Sequence, residues 1–127
     1  MNQEEHNLQC ACVKWFAYQH PELQGLLFAV PNGGARSKAT AGKLKAEGVV
    51  PGVADLILLV ARVEPCKNDI GWSNMWHALC IEMKTKHGYQ SPEQKDWQYK
   101  VEWFGYKYEV CRSLDEFIEI IENYLKQ

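Results

Sequence analysis

Alternating helical and strand patterns predict an α/β or α+β sheet domain, with elements in the order α-β-α-β-β-α-β-α. Three observations carry this expectation. Apolar residues recur at helical spacing near both ends of the chain, several short runs rich in Val, Ile and Leu read as strands, and two serine-led capping patterns mark where later helices begin. With 127 residues and 46% hydrophobic content, the chain has the size of one domain, residues 1–127, whose core needs neither disulfides nor a structural metal.

The first helix is expected from Glu4 to about Gln19, because Leu8, Ala11, Cys12, Trp15 and Phe16 fall on one face and Pro21 follows. Leu26 to Val30, bounded by Gly25 and by Pro31-Asn32-Gly33-Gly34, reads as a short buried strand running into a glycine-rich loop. A second helix follows from about Ser37 to Glu47, with Gly48 as its stop. Val53 to Val63 reads as a central strand with an aspartate, Asp55, near its start. The polar stretch from Glu64 to Asn74 turns the chain, and Met75 to Lys84 returns as the next strand, paired with the first as a hairpin. Ser91-Pro92-Glu93-Gln94 starts a helix at Pro92 that Gly105 ends, Tyr106 to Cys111 is a further strand, and Ser113-Leu114-Asp115-Glu116 opens a last helix with Leu114, Phe117, Ile118, Ile121 and Leu125 on its apolar face.

Composition removes several classes of function. The five cysteines, 10, 12, 66, 80 and 111, are odd in number and lack a CxxC pair, which argues against a disulfide framework and a zinc knuckle and for reduced thiols. No apolar run approaches the length of a membrane span and the first residues are polar, so a soluble, intracellular protein without signal peptide or membrane anchor is expected. A net charge of −2 does not announce a nucleic-acid binder. The charge is uneven, however: Arg36, Lys38, Lys43 and Lys45 stand against Glu47 alone in residues 31–50, while residues 112–127 are acidic. That basic segment is either a phosphate-facing patch or a solvated helix face.

The chemistry concentrates in Asp55 and in the pair Glu82 and Lys84, two apart in the next strand. Side chains alternate along a strand, so Glu82 and Lys84 share a face, and hairpin pairing brings Asp55 beside them. Two carboxylates held that close repel unless a cation lies between them, and hard oxygen donors suit Mg2+ or Mn2+. The Met83 carbonyl offers a further ligand, and the Lys84 ammonium suits stabilisation of charge developing on a phosphate. The competing explanation is an ordinary Glu82–Lys84 ion pair beside a solvated Asp55.

Several further residues join these three in an ordered set: Glu5 with Gln9, Asn32-Gly33-Gly34 with Arg36, Gly48-x-x-Pro51-Gly52-x-x-Asp55, Glu82-x-Lys84, and Gln94 after a serine-led loop. The set resembles the VRR-NUC family of virus-type replication and repair nucleases, within the PD-(D/E)XK superfamily, over nearly the whole length. Val53-Ala54 stand where members often have a proline before the aspartate. The resemblance implies a restriction-endonuclease-like fold, a central mixed sheet flanked by helices, and catalytic roles for Asp55, Glu82 and Lys84. It implies that Glu5 helps to bind metal and that Gln94 contacts water or phosphate in the active site. By residue type alone, Glu5 is a favourable dipole partner in the first turn of its helix, and Gln94 caps its own helix by bonding the Ser91 backbone, a role that competes for the same side chain.

Arg36 has a fork of donors for phosphate, and Asn32, Gly33 and Gly34 let backbone approach DNA closely, although Asn-Gly-Gly is also a common turn. Lys43 belongs to the same expected DNA-binding set. His77 and His87 have no visible partner and are read as structural or surface histidines.

The resulting expectation is a Mg2+- or Mn2+-dependent DNA endonuclease acting on branched DNA such as four-way junctions. It would be cytoplasmic, in a bacterial or phage-infected cell, and a homodimer; Trp72, Met75 and Trp76 are either its contact surface or residues that cover the sheet edge of a monomer. The alternative is a non-catalytic DNA-binding module that retains the fold.

Overall fold

The computed structural model describes residues 1–31, 37–64 and 74–126. Helix α1, Gln3–Gln19, begins where the Asn2 side chain accepts the Glu5 N–H at 2.8 Å. A single 3-10 turn at Pro21–Leu23 leads into β1, Leu27–Ala29. Helix α2, Lys38–Ala46, is capped by Ser37, and it stops before Gly48 as the spacing predicts. Strands β2, Leu56–Leu58, β3, Arg62–Glu64, β4, Asn74–Trp76, and β5, Leu79–Met83, come next. Helix α3, Pro92–Trp103, strand β6, Lys107–Cys111, and helix α4, Leu114–Leu125, complete the order.

The central sheet has the order β1-β2-β5-β6, antiparallel at the first two junctions and parallel between β5 and β6. It is therefore mixed. Helix α3 makes the crossover that a parallel pair requires. The two long central strands expected from the sequence each divide in two. Residues 59–61 separate β2 from β3, but only 77 and 78 separate β4 from β5, so the hairpin carries one extra residue on one side and its ladder breaks there. Backbone groups at the break find other partners: the Leu59 N–H bonds the Leu26 carbonyl and the His77 N–H bonds the Gly105 carbonyl, each at 2.9 Å. β1 is an edge strand and not a buried one, with Leu26 and Phe28 exposed.

Alternation along β5 divides the core between the two sheet faces. Leu79, Ile81 and Met83 join Leu56, Leu58, Cys12 and Phe16 of α1, and Phe117, Ile121 and Tyr124 of α4. On the other face Cys80 packs with Ala54 and Tyr108 beneath Trp97 and Val101 of α3. All five residues of β5 are buried. Trp76 is partly buried against the larger cluster, and the Lys107 ammonium lies 5.9 Å from its ring. Met75 remains exposed, and Trp72 lies outside the described residues.

The cysteines Cys10, Cys12, Cys80 and Cys111 are free thiols. No helix among the described residues is long and apolar enough to cross a membrane.

Candidate active site

Strand register brings the charged residues together. Leu56 pairs with Ile81, so the next position outward sets Asp55 across from Glu82. Facing Cβ atoms in such a pair lie about 4.5–5.5 Å apart. Asp55 is held at the strand end from two directions: its carbonyl accepts the Val30 N–H at 2.9 Å, and its Oδ2 accepts the Met83 N–H at 2.7 Å. Both polar groups of one strand residue leave the strand on the same side, so the Met83 carbonyl faces the Asp55 edge as well.

Glu82 is the one buried charged residue among those described, at 2% exposure. Its Oε1 accepts from Gln94 Nε2 at 2.7 Å and lies 3.9 Å from the Lys84 ammonium, and its Oε2 accepts from the Tyr108 hydroxyl at 3.4 Å. These donors do not hold it ionised. Burial, then the Asp55 charge and the hydrogen-bond contact with Asp55, push the Glu82 carboxyl up to about 8, against the opposing pull of Lys84 and Tyr108. Tyr108 is raised in turn, by burial first and then by the Glu82 charge, and its hydroxyl also accepts from Gln90 Nε2 at 3.3 Å.

Gln94 serves both roles that the sequence sets in competition. Its Oε1 accepts the Ser91 N–H at 2.8 Å, completing the capping box, while its Nε2 donates to Glu82. An amide has one acceptor end and one donor end, so a backbone N–H and a carboxylate fix its orientation between them. The start of α3 is itself placed by the preceding loop. Gly52, with φ +85°, comes so close that an added Cβ would lie 2.5 Å from the Glu93 carbonyl oxygen.

These groups open into a cleft of about 840 Å3, lined by Glu5, Gln9, Lys45, Asp55, Glu82, Lys84 and Gln94 among others. Gln9 Oε1 is buried with no hydrogen-bond partner among the described residues. Lys45 lines the cleft. Lys43, the lysine singled out from the sequence, is exposed on α2 and does not line it. Asn32, Gly33, Gly34 and Arg36 lie outside the described residues.

The donor set fits a hard divalent cation. Two crowded carboxylates, one of them driven to hold its proton, gain most from a positive charge placed between them, and the Met83 carbonyl adds a neutral oxygen. Glu5 lines the same cleft, but no group of three His, Cys, Asp or Glu side chains among the described residues closes into a cage. Such a site would take its remaining ligands from water and substrate oxygens.

Tyr108 is the site residue that the sequence reading misses. Its only signal is an aromatic hydroxyl inside a strand. The parallel β5–β6 register that sets Tyr108 beside Cys80 depends on a crossover between distant segments, which local pattern does not specify.

Two comparisons place the chain among known proteins. The VRR-NUC domain family matches residues 1–115. A solved structure described as a VRR_NUC domain protein superposes with a TM-score of 0.76 at 25% sequence identity, covering 99% of this chain and 91% of that one. No curated protein matches by sequence.

Proposed function

Because the chain belongs to the VRR-NUC family, a nuclease-type DNA-processing domain, we propose that it is a Mg2+- or Mn2+-dependent endonuclease. It cleaves branched DNA such as four-way junctions, as a homodimer, with Asp55, Glu82 and Lys84 as its catalytic residues and Gln94 in support. The observation that carries this reading is the buried Glu82 carboxyl, crowded by Asp55 and pushed up to about 8 at the wall of a cleft that also holds Lys84.

The reaction is addition of water across a P–O3′ bond. Its oxygen joins phosphorus and a proton goes to the departing 3′ oxygen, leaving a 5′-phosphate and a 3′-hydroxyl. Asp55, Glu82 and the Met83 carbonyl would hold the divalent ion, which when bound polarises the phosphate and acidifies water. Asp55 is pre-aimed by the Met83 N–H, so its carboxylate is fixed before substrate arrives. Gln94 and Tyr108 fix Glu82 in the same way. The Lys84 ammonium, partly buried beside Glu82, supplies a fixed positive charge toward the phosphate oxygens as negative charge builds on them. Lys45 offers a second cation at the cleft wall for the DNA backbone.

The test is cleavage of a panel of linear, flapped and four-way DNA with Mg2+, Mn2+ or EDTA. Incision of four-way DNA with either metal and none in EDTA is the expected result. DNA binding without incision under every condition would leave a binding module and remove the enzyme.

A further inference from the structure

Directly after Lys84 the chain turns at residues 85–88, closed by the Gly88 N–H to the Thr85 carbonyl at 3.2 Å. A turn of this length has no ladder for its carbonyls, and the Thr85 carbonyl has a second lone pair to fill. Arg112, the first residue past β6, reaches across to supply the donors: Nη1 bonds the Thr85 carbonyl at 2.7 Å and the Gly88 carbonyl at 2.8 Å, with a longer contact of 3.5 Å to Lys86. A charged donor to neutral carbonyls makes a stronger tie than an amide would. Arg112 is itself anchored, since its backbone N–H donates to Glu116 Oε2 at 2.7 Å in the first turn of α4.

The turn bears on Lys84 from two sides. The Lys84 N–H donates to the Cys111 carbonyl at 2.9 Å, one residue before Arg112, so the same corner of β6 holds both the backbone of the lysine and the turn behind it. A Cβ added to Gly88 would lie 3.0 Å from Thr85 Oγ1 and 3.6 Å from Lys84 Cδ. The turn therefore runs alongside the lysine's own stem, with no more than a methyl group's room between them at Gly88, so a displaced turn would press on the side chain that carries the ammonium.

We propose that Arg112 is a positioning residue for Lys84: by clamping residues 85–88 to the end of β6, it fixes the line along which the ammonium enters the cleft. This rests on the catalytic reading of Lys84 given above. Small displacements of a preorganised group cost rate disproportionately, up to about 100-fold per ångström, so loss of the clamp should lower turnover without lowering affinity.

The test uses Arg112→Ala, Lys84→Ala and the double variant with Mn2+ and four-way DNA. For Arg112→Ala we expect a fall of about 10-fold in the single-turnover rate at saturating DNA. The DNA and Mn2+ concentrations for half-maximal rate should change less than about twofold, and amide exchange at residues 86–88 should quicken. In the Lys84→Ala background the Arg112 substitution should cost nothing further, because it acts through the lysine. Should Arg112→Ala fail to fold, Gly88→Val, which leaves the guanidinium in place and presses on Thr85 and the Lys84 stem, carries the same expectation. A full rate in Arg112→Ala, or a double variant slower than Lys84→Ala by the same factor, overturns the proposal. A fully active Lys84→Ala overturns the catalytic reading instead, and the exchange rates at residues 86–88 then judge the clamp by themselves.

Discussion

A carboxyl at 2% exposure with another carboxyl facing it is an unfavourable arrangement that a fold keeps only where something compensates. Glu82 ordinarily loses its proton near 4.5 and in the fold holds it to about 8. Between these values the folded chain binds a proton at Glu82 that the unfolded chain releases, so in EDTA the contribution of Glu82 to stability is fully present below about 4.5 and is lost as pH rises through about 8. Glu82→Gln keeps the shape and removes the charge. We expect it to raise the melting temperature in EDTA at pH 8 by about 5 °C and to flatten its dependence on pH, while abolishing the stabilisation that Mn2+ gives the natural protein. Calorimetric melting from pH 5 to 8 reads this, and an unchanged slope in Glu82→Gln would mean that Glu82 is not the group under strain. That Glu82 and Lys84 share a face was legible in the sequence because alternation along a strand is a local rule, and hairpin pairing allowed Asp55 beside them, but the register that sets Asp55 across from Glu82 belongs to the folded sheet. The donors around Glu82 were only partly legible. Gln94 shows as a capping residue, and its second bond appears only when α3 is docked across the sheet.

At the scale of elements, local chemistry set the boundaries and tertiary contact set the pairings. Ser91 and Ser113 each cap the helix that their spacing predicts, and Ser37 caps α2, a role that the sequence reading does not assign. At Ser113, Glu116 departs from the reciprocal pattern by bonding the Arg112 N–H and not the capping serine. What local pattern does not reveal is the break that divides the central hairpin, since residues 59–61 are as strand-like in composition as their neighbours. The most sensitive junction is Gly52 against the start of α3. Its φ of +85° strains any other residue, and the added Cβ meets backbone that cannot rotate away. Gly52→Ala should lower the melting temperature by roughly 5–10 °C and, by shifting Gln94 away from Glu82, lower the cleavage rate about 10-fold or more. Gly48→Ala is the control: it has a similar positive φ with nothing within 4 Å, and should cost stability while leaving the rate of the folded protein unchanged. Equal rates in the two variants would detach the α3 junction from the site.

The whole molecule places a buried glutamate, a half-buried aspartate and a lysine where α1, α2, α3 and the end of the central sheet surround one cleft. A single cleft of this kind cuts one strand at a time, so paired incisions across a four-way junction require two copies related by a two-fold axis. Light scattering at micromolar concentration should then give about 29 kDa, twice the 14.6 kDa chain. A monomer that persists with four-way DNA bound removes symmetric resolution and leaves the nuclease reading in place. The central claim, that Asp55, Glu82 and Lys84 form one hydrolytic centre, is tested most directly by the single-turnover cleavage rate of Lys84→Ala on four-way DNA in saturating Mn2+. The expected result is a loss of about 100-fold or more, with Mn2+ binding and melting temperature close to those of the natural protein. A Lys84→Ala variant that cuts at the natural rate would contradict the account.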